Sequence, residues 1–438
     1  MSLFNALTTA VSGLSAQSAA FSNISDNIAN SQTTGFKGVD TDFIDYLTES
    51  TPTLNESGSV ATLPQYTNNV QGAITQSTDP LALAIRGQGF FDVSTGSSNA
   101  ANSSTIFNAQ QYYTRDGNFS VNAQGYLVND AGYYLDGWNV DPTTGITNNT
   151  VLSPVQISQS TYQPVSTSNI TLSANLPATP SGTAPITSQV NVYDSLGTEH
   201  ALNFAYTQNA SNDWTVTVSS PDNIAGGSTT IGTAELKFGS ASGNAVPAGT
   251  IGSITNPTGV LSASGYANGG PATLTLSPDF GQGTQNITLN LGTYGGTSGL
   301  TQYAGTDFNL LGVTQNGMPQ GSFSNVTIDK SGDVVVNYTN GQSQTVAQVP
   351  LTTFNAPDAL QRQNGQAYTA TSESGQPLTN AVGASGAGSL TVGSLESSNV
   401  DIATEFTKLI TAQEAYSANA KVVTTADQLA TTTINMKQ

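Results

Sequence analysis

There is no cysteine among the 438 residues, so disulfides, thiolate metal sites and cysteine nucleophiles are excluded. Histidine is almost as scarce. His200 is the only one, a Ser-His-Asp triad would have to use it, and its place inside a strand-like run favours a structural role. Charge is scarce too, at 8% of residues against about a quarter in an ordinary soluble chain. Ser, Thr, Asn, Gln and Gly fill the deficit. A surface of that kind hydrogen-bonds to water without strong fields and suits subunits that lie against copies of themselves. Basic residues number 9 against 28 acidic, a net charge of −19. Such a chain has no electrostatic footprint for nucleic acid, and anionic membranes are disfavoured for the same reason. The acidity itself reads as solubility.

Long apolar runs are missing. No stretch approaches the ~18 residues of a membrane span, so no membrane insertion is expected. Residues 1–30 hold no basic residue and no continuous apolar core, unlike a cleavable secretory signal. Export, if it occurs, needs another route. Gly87-Gln88-Gly89-Phe90 lacks the glycine spacing and the Lys-Ser/Thr of a phosphate loop. Asp329 and Asp333 flank a turn without EF-hand spacing. Nothing positive marks a glycosidase carboxylate pair. No catalytic, cofactor-binding or metal residue is therefore expected, and the chain does not read as an enzyme.

What is present is periodicity. Positions 3, 7, 10, 14, 17, 21, 24 and 28 are Leu, Leu, Ala, Leu, Gln, Phe, Ile and Ile. Steps of four and three make the seam of a coiled-coil-like helix. The C-terminus repeats the design, with Ile402, Leu409, Tyr416, Val423 and Ala430 interleaved with Phe406, Gln413, Ala420, Asp427 and Ile434. Asn399 or Asp401 can cap this helix, with Glu405 in its first turn. The candidate assembly seams are Leu3, Leu7, Leu14, Gln17, Phe21, Ile24 and Ile28 at one end, and Ile402, Phe406, Leu409, Gln413, Tyr416, Val423 and Ile434 at the other. The seams suit each other or copies in neighbouring subunits. Gln17 and Gln413 interrupt them, either fixing register or facing water.

Between the ends the period falls to two. Residues 31–71 read as a polar connector. Leu81, Leu83 and Ile85 alternate with small residues, and 112–138 read as a meander with turns at Asp116-Gly117, Gln124-Gly125 and Ala131-Gly132. A matching pattern follows from Val326 to Leu351, with Asn340-Gly341 as a hairpin signal. These blocks, 72–160 and 318–395, predict an inner β domain. Residues 161–317 predict an outer β domain inserted into it, and 1–30 with 399–438 a terminal helical assembly domain. The expected fold is mostly β with α-helical termini: coiled-coil-like helices flanking nested β domains.

Four segments resemble the bacterial flagellar rod-and-hook axial family. They are Ser25 to Lys37, with its turn Asn30, Thr33, Thr34, Gly35, Phe36 and Lys37; Arg86-Gly87-Gln88-Gly89-Phe90-Phe91 with Tyr113 to Phe119; Val192-Tyr193-Asp194-Ser195-Leu196-Gly197; and Ser398 to Lys421. The end signatures belong to the family as a whole. The long centre, and the return through Tyr338 to Pro357, resemble its hook member. The resemblance implies an extracellular structural subunit that polymerises into a curved, flexible tube, a universal joint carrying torque from rod to filament. It implies as partners copies of itself, rod, hook cap and hook–filament junction proteins, and the flagellar type III export apparatus. The alternative within the family is a distal rod or hook-associated junction protein.

Overall fold

The structure, a computed structural model, describes residues 3–51, 54–99, 104–142 and 144–436. Two helices bracket the chain, α1 (Leu3–Ala29) and α2 (Ile402–Asn435). Both fall where the apolar period and the absence of proline put them. Asp401 caps α2, accepting the Thr404 N–H at 2.7 Å, and Glu405 sits in the first turn against the positive end of the helix dipole. Asn399 does different work. Its Oδ1 accepts the Gly38 N–H at 2.8 Å and its Nδ2 donates to Thr67 O at 3.2 Å.

The stretch 31–71, expected as a connector, contains a long antiparallel hairpin, β1 (Val39–Thr51) and β2 (Leu54–Tyr66). Pro64 and Gly58 both fall within β2. In a two-stranded ribbon Pro64 meets no third strand that would need its N–H. Gly58 falls at a bulge, where the register steps from Ser59 opposite Tyr46 to Ser57 opposite Leu47.

The chain forms two compact units, Met1–Gln159 with Ser324–Asn337 and Ser343–Gln438, and Ser160–Phe323 with Tyr338–Gln342. In the first, one extended sheet runs in the order Phe323–Ile328, Asp333–Tyr338, Ser343–Gln348, Tyr133–Val140, Phe91–Asn99 and Ser104–Thr114, ending on two short strands. Leu83, Phe91, Phe119, Leu127 and Val334 are buried in this unit. The second unit is a sandwich. Five antiparallel strands from Ile186 to Thr255 form one layer in chain order. A mixed sheet centred on Asn169–Asn175 and Ile287–Thr293 forms the other. Inward residues alternate along each strand, so Trp214, Val216 and Val218 meet a core that includes Leu172, Leu274 and Leu289. This unit keeps 318–323 and 338–342, which the sequence reading gave to the inner domain. Within it Tyr338 packs on Tyr162 at 5.2 Å, and Asn340 Nδ2 donates to Pro319 O at 3.0 Å.

Three of the buried carboxyls in the first unit hold their protons unusually tightly. Desolvation pushes Asp92 up to about 8, Asp136 to about 7 and Asp116 to about 6. Thr352 Oγ1 contacts both Asp92 oxygens, at 2.9 and 2.8 Å, and Ser94 Oγ donates to Asp136 Oδ1 at 2.9 Å. Raised values mean that the folded state holds more protons than the unfolded chain between the ordinary carboxyl range and these values. Their stabilisation is complete at low pH and is lost as pH rises toward 8. The two tryptophans, Trp138 and Trp214, fall one in each unit. In a Trp214→Phe background, Trp138 fluorescence should report a first unit more resistant to urea at pH 5.5 than at pH 8. Asp92→Asn should flatten that dependence and raise the midpoint at pH 8.

Candidate functional site

The helices run antiparallel. Asn27 Nδ2 donates to Glu405 Oε2 at 3.1 Å, Gly13 approaches Asn419, and Ala6 lines a crevice with Ala426. The facing column therefore steps by seven in opposite directions: Ala6, Gly13, Ala20 and Asn27 against Ala426, Asn419, Ala412 and Glu405. These residues are small or hydrogen-bonded, so the backbones come close. A Cβ on Gly13 would lie 2.9 Å from Asn419 Nδ2.

The expected seam residues lie either one position on from this column or three positions before it. Leu7, Leu14, Phe21 and Ile28 are half-buried, as are Leu409 and Val423. Ile402, Phe406 and Tyr416 are 39%, 49% and 42% exposed. Phe21 and Tyr416 touch edge-to-face at 6.2 Å, which sets the two rows side by side on one face of the pair. Ile24 alone of the expected residues turns fully inward. Gln17 is half-buried and Gln413 is exposed to solvent. The side chains of Leu3 and Ile434 lie outside the described residues. The pair thus closes on small side chains and carries its bulky apolar residues as an external ridge.

The opposite face of α1 is taken by the hairpin. Thr9 Oγ1 donates to Gly58 O at 3.0 Å, Val60 N–H donates to Ser12 Oγ at 3.1 Å, and Asn23 Nδ2 donates to Thr41 Oγ1 at 2.8 Å. Asn27 grips both backbone groups of Val39, at 2.9 and 3.0 Å, where β1 begins. Lys408 reaches across from α2 to Asp40 and to Glu405.

The signature turn leads into the interior. Asn30 Nδ2 donates to Asp26 O at 2.9 Å, and Thr33 Oγ1 to Asn30 Oδ1 at 3.2 Å, which closes the helix end. Thr34 is half-buried beside them. Gly35 adopts φ +67°, and a Cβ there would sit 2.6 Å from Asp116 N, so only glycine fits. Phe36 is buried beneath the Arg362 guanidinium at 4.3 Å. The Lys37 ammonium, fully enclosed, pairs with Glu396 and donates to Val70 O at 2.7 Å. Burial is the main force holding its proton affinity below the usual lysine range. Arg115 Nη1 meets the other Glu396 oxygen at 3.1 Å, and its Nη2 donates to Gly87 O at 2.8 Å. Glu396 accepts from the Gly72 N–H as well, at 2.8 Å. Two of the four family-like segments thus meet here, on a carboxylate two residues before a third. Glu396 went unnoticed because a lone acid before a helix carries no sequence signal. A cation count would have flagged it, since two buried cations require an anion.

In the second unit His200 lies between two acids, with Nδ1 3.0 Å from Asp222 Oδ2 and Nε2 3.4 Å from Asp194 Oδ2. Its ring stacks on Phe280 at 4.1 Å. It ties three loops together. Among the described residues no cluster of three or more His or acidic groups could hold a metal ion, and no helix is long and apolar enough to cross a membrane.

Family models match along most of the chain. "Flagella basal body rod protein" covers residues 7–37, "Flagellar hook protein FlgE/F/G D1 domain" 84–175, "Flagellar basal body protein FlaE D2 domain" 165–318, and "Flagellar basal body rod FlgEFG protein C-terminal" 391–436. The flagellar hook protein FlgE of Rhizobium meliloti is 33% identical over the whole of both chains. That of Salmonella typhimurium is 29% identical over 98% of this chain and 99% of its own. A crystal structure of Helicobacter pylori flagellar hook protein FlgE2 aligns with TM-score 0.44 and 16% identity, covering 70% of this chain and 96% of that one.

Removing one partner of a buried ion cluster typically costs about 3–5 kcal/mol. Glu396→Ala should therefore lower the denaturation midpoint read by Trp138 sharply and leave the one read by Trp214 in place. An unchanged Trp138 midpoint would show that the cluster does not hold the first unit together.

Proposed function

The chain belongs to the bacterial flagellar hook protein family and is a structural subunit of the extracellular hook, and on that premise we propose that its terminal helix pair is the surface through which copies assemble. The observation that carries this is the external ridge of Leu7, Leu14, Phe21, Ile28, Leu409, Tyr416 and Val423, with Ile402 and Phe406 at its margin. Apolar side chains gain roughly 1.5–3 kcal/mol each on full burial. A ridge of this length left half in water is favourable only if a partner covers it.

In this reading residues 1–30 and 399–438 form the assembly layer. The turn Asn30 to Lys37 fixes where the helix ends and how the chain leaves it, and the inner and outer β domains build successive shells of a curved tube. The tube acts as a universal joint, passing torque while bending. The polar, weakly charged outer surface supports this, since hydrogen bonds through Ser, Thr, Asn or water can be exchanged at low cost. Rod, hook cap and junction proteins, and the type III export apparatus, are its partners in the same reading. No catalytic role is inferred. A distal rod role finds no specific support, because the full-length relatives are hook proteins.

A charge placed in an apolar seam costs several kcal/mol unless paired, and the cost recurs in every subunit. Leu14→Asp or Leu409→Asp should abolish polymer formation and motility while Trp138 and Trp214 report folded units. Normal tubes from both variants would remove the ridge from the interface.

A further inference from the structure

We infer that the ridge of one copy seats in a groove on the opposite face of a second copy's helix pair, the groove between α2 and the β1–β2 hairpin. This rests on the ridge being an assembly surface and adds what receives it. The hairpin is hydrogen-bonded to α1 and leaves the neighbouring face of α2 open. The opening runs in two stretches. One, of about 500 Å³, is walled by Ala20, Ala412 and Ala415 and by Val39 and Phe43 of β1, with Asp42 and the paired Lys408 and Asp40 beside them. The other, of about 490 Å³, is walled by Ala6, Ala418 and Ala426 with Val422 and Leu429. Val422 and Leu429 are 45% and 54% exposed.

Three features fit the ridge to this groove. The first is size. The ridge bears Leu, Phe and Tyr, whereas three alanines line each stretch of the groove, so large side chains meet space left by small ones. The second is charge. A chain of net charge −19 repels its copies except where the contact is neutral or complementary. Asp26 is the only charged residue of α1. Lys421, whose ammonium has no partner among the described residues, stands on the groove wall. Asp427, exposed one helical position on from Ala426, stands at the ridge edge. The third is symmetry. A ridge-to-ridge contact uses the same patch on both copies and closes as a dimer. Two different patches on opposite faces leave every added copy with one free ridge and one free groove, which an open-ended polymer requires.

The cysteine-free chain allows a direct test. Full-length Tyr416→Cys (ridge) and Thr425→Cys (groove) proteins are polymerised in ammonium sulfate, separately and mixed, and treated with a short bis-maleimide. Linked pairs containing one of each variant are expected from the mixture, about tenfold above either variant alone. Self-linking of Tyr416→Cys alone at equal yield would mean ridge-to-ridge contact and overturn the inference, and so would mixed polymers without links. Ala418→Trp fills the groove at an exposed position and should cut polymer yield at least tenfold, by about the same factor as Leu14→Asp. If Ala418→Trp assembles normally and Leu14→Asp does not, the groove is wrong and the ridge stands. If both assemble normally, the ridge itself fails.

Discussion

One buried carboxylate brings distant segments of the first unit to a single point. Glu396 is fully buried between Lys37 and Arg115, and it accepts from the Gly72 N–H as well. Lys37 follows the end of α1, Arg115 belongs to the β domain, and Glu396 precedes α2, so this one group joins both ends of the chain to the body they flank. Two cations against one anion would be unfavourable in a dry interior. The excess is spread over the carbonyls of Val70 and Gly87, which accept from the ammonium and the guanidinium. Gly35 must be glycine because the turn that delivers Lys37 passes so close to Asp116. The Gly35 N–H donates in turn to the Glu396 carbonyl at 2.8 Å. Backbone and side chain of one residue therefore set the exit of α1 and the entry of α2 together.

From that anchor the two helices leave side by side, and the residues at their contact decide what remains outside. Close approach on Gly13, Ala20 and Ala412 leaves no room for leucine or phenylalanine at the centre, and the bulky column one position on is turned outward. A helix pair closed on its large residues would be a more stable isolated unit and a poorer building block. Here the chain forgoes intramolecular burial and leaves an apolar face outside the pair. The polar members of the contact, Asn27, Asn419 and Glu405, restrict how the helices can slide. Asn27 bonds to Val39 and to Glu405 at once, so a shift along the axis would break both.

Much of this was legible in the sequence, and the limits have physical causes. Both helices, the turns at Gly125, Gly132 and Gly341 and the alternating strands follow from period and turn chemistry, which are local. The seam pattern was legible as a pattern. Its partner was not, because a heptad of Leu, Phe and Ile looks the same whether it faces the second helix or another chain. The alanine–glycine column beside it carries little hydrophobic signal, although it makes the contact. The hairpin was missed because Asp, Ser, Thr and Pro dominate 39–66, and a two-stranded ribbon leaning on a helix tolerates residues that a central strand would not. Glu396 was missed because its significance depends on residues some 280 and 360 positions away.

The allocation of positive charge ties these levels together. Of the nine basic residues, Lys37 and Arg115 are spent on Glu396, Lys408 on Asp40 and Glu405, Arg362 on Asp26, and Lys237 on Asp213 and Glu235. Cations used inside the subunit cannot neutralise its surface, so each copy meets the next as a weakly acidic body. Attraction between copies must then come from apolar burial, and it must exceed a long-range repulsion that salt screens and burial does not. The ridge on α1 accordingly carries no charge along its length, Asp26 being the only charged residue of that helix. The terminal helix pair leaves bulky apolar side chains outside because its own closure needs only small ones, and such side chains are what could overcome that repulsion.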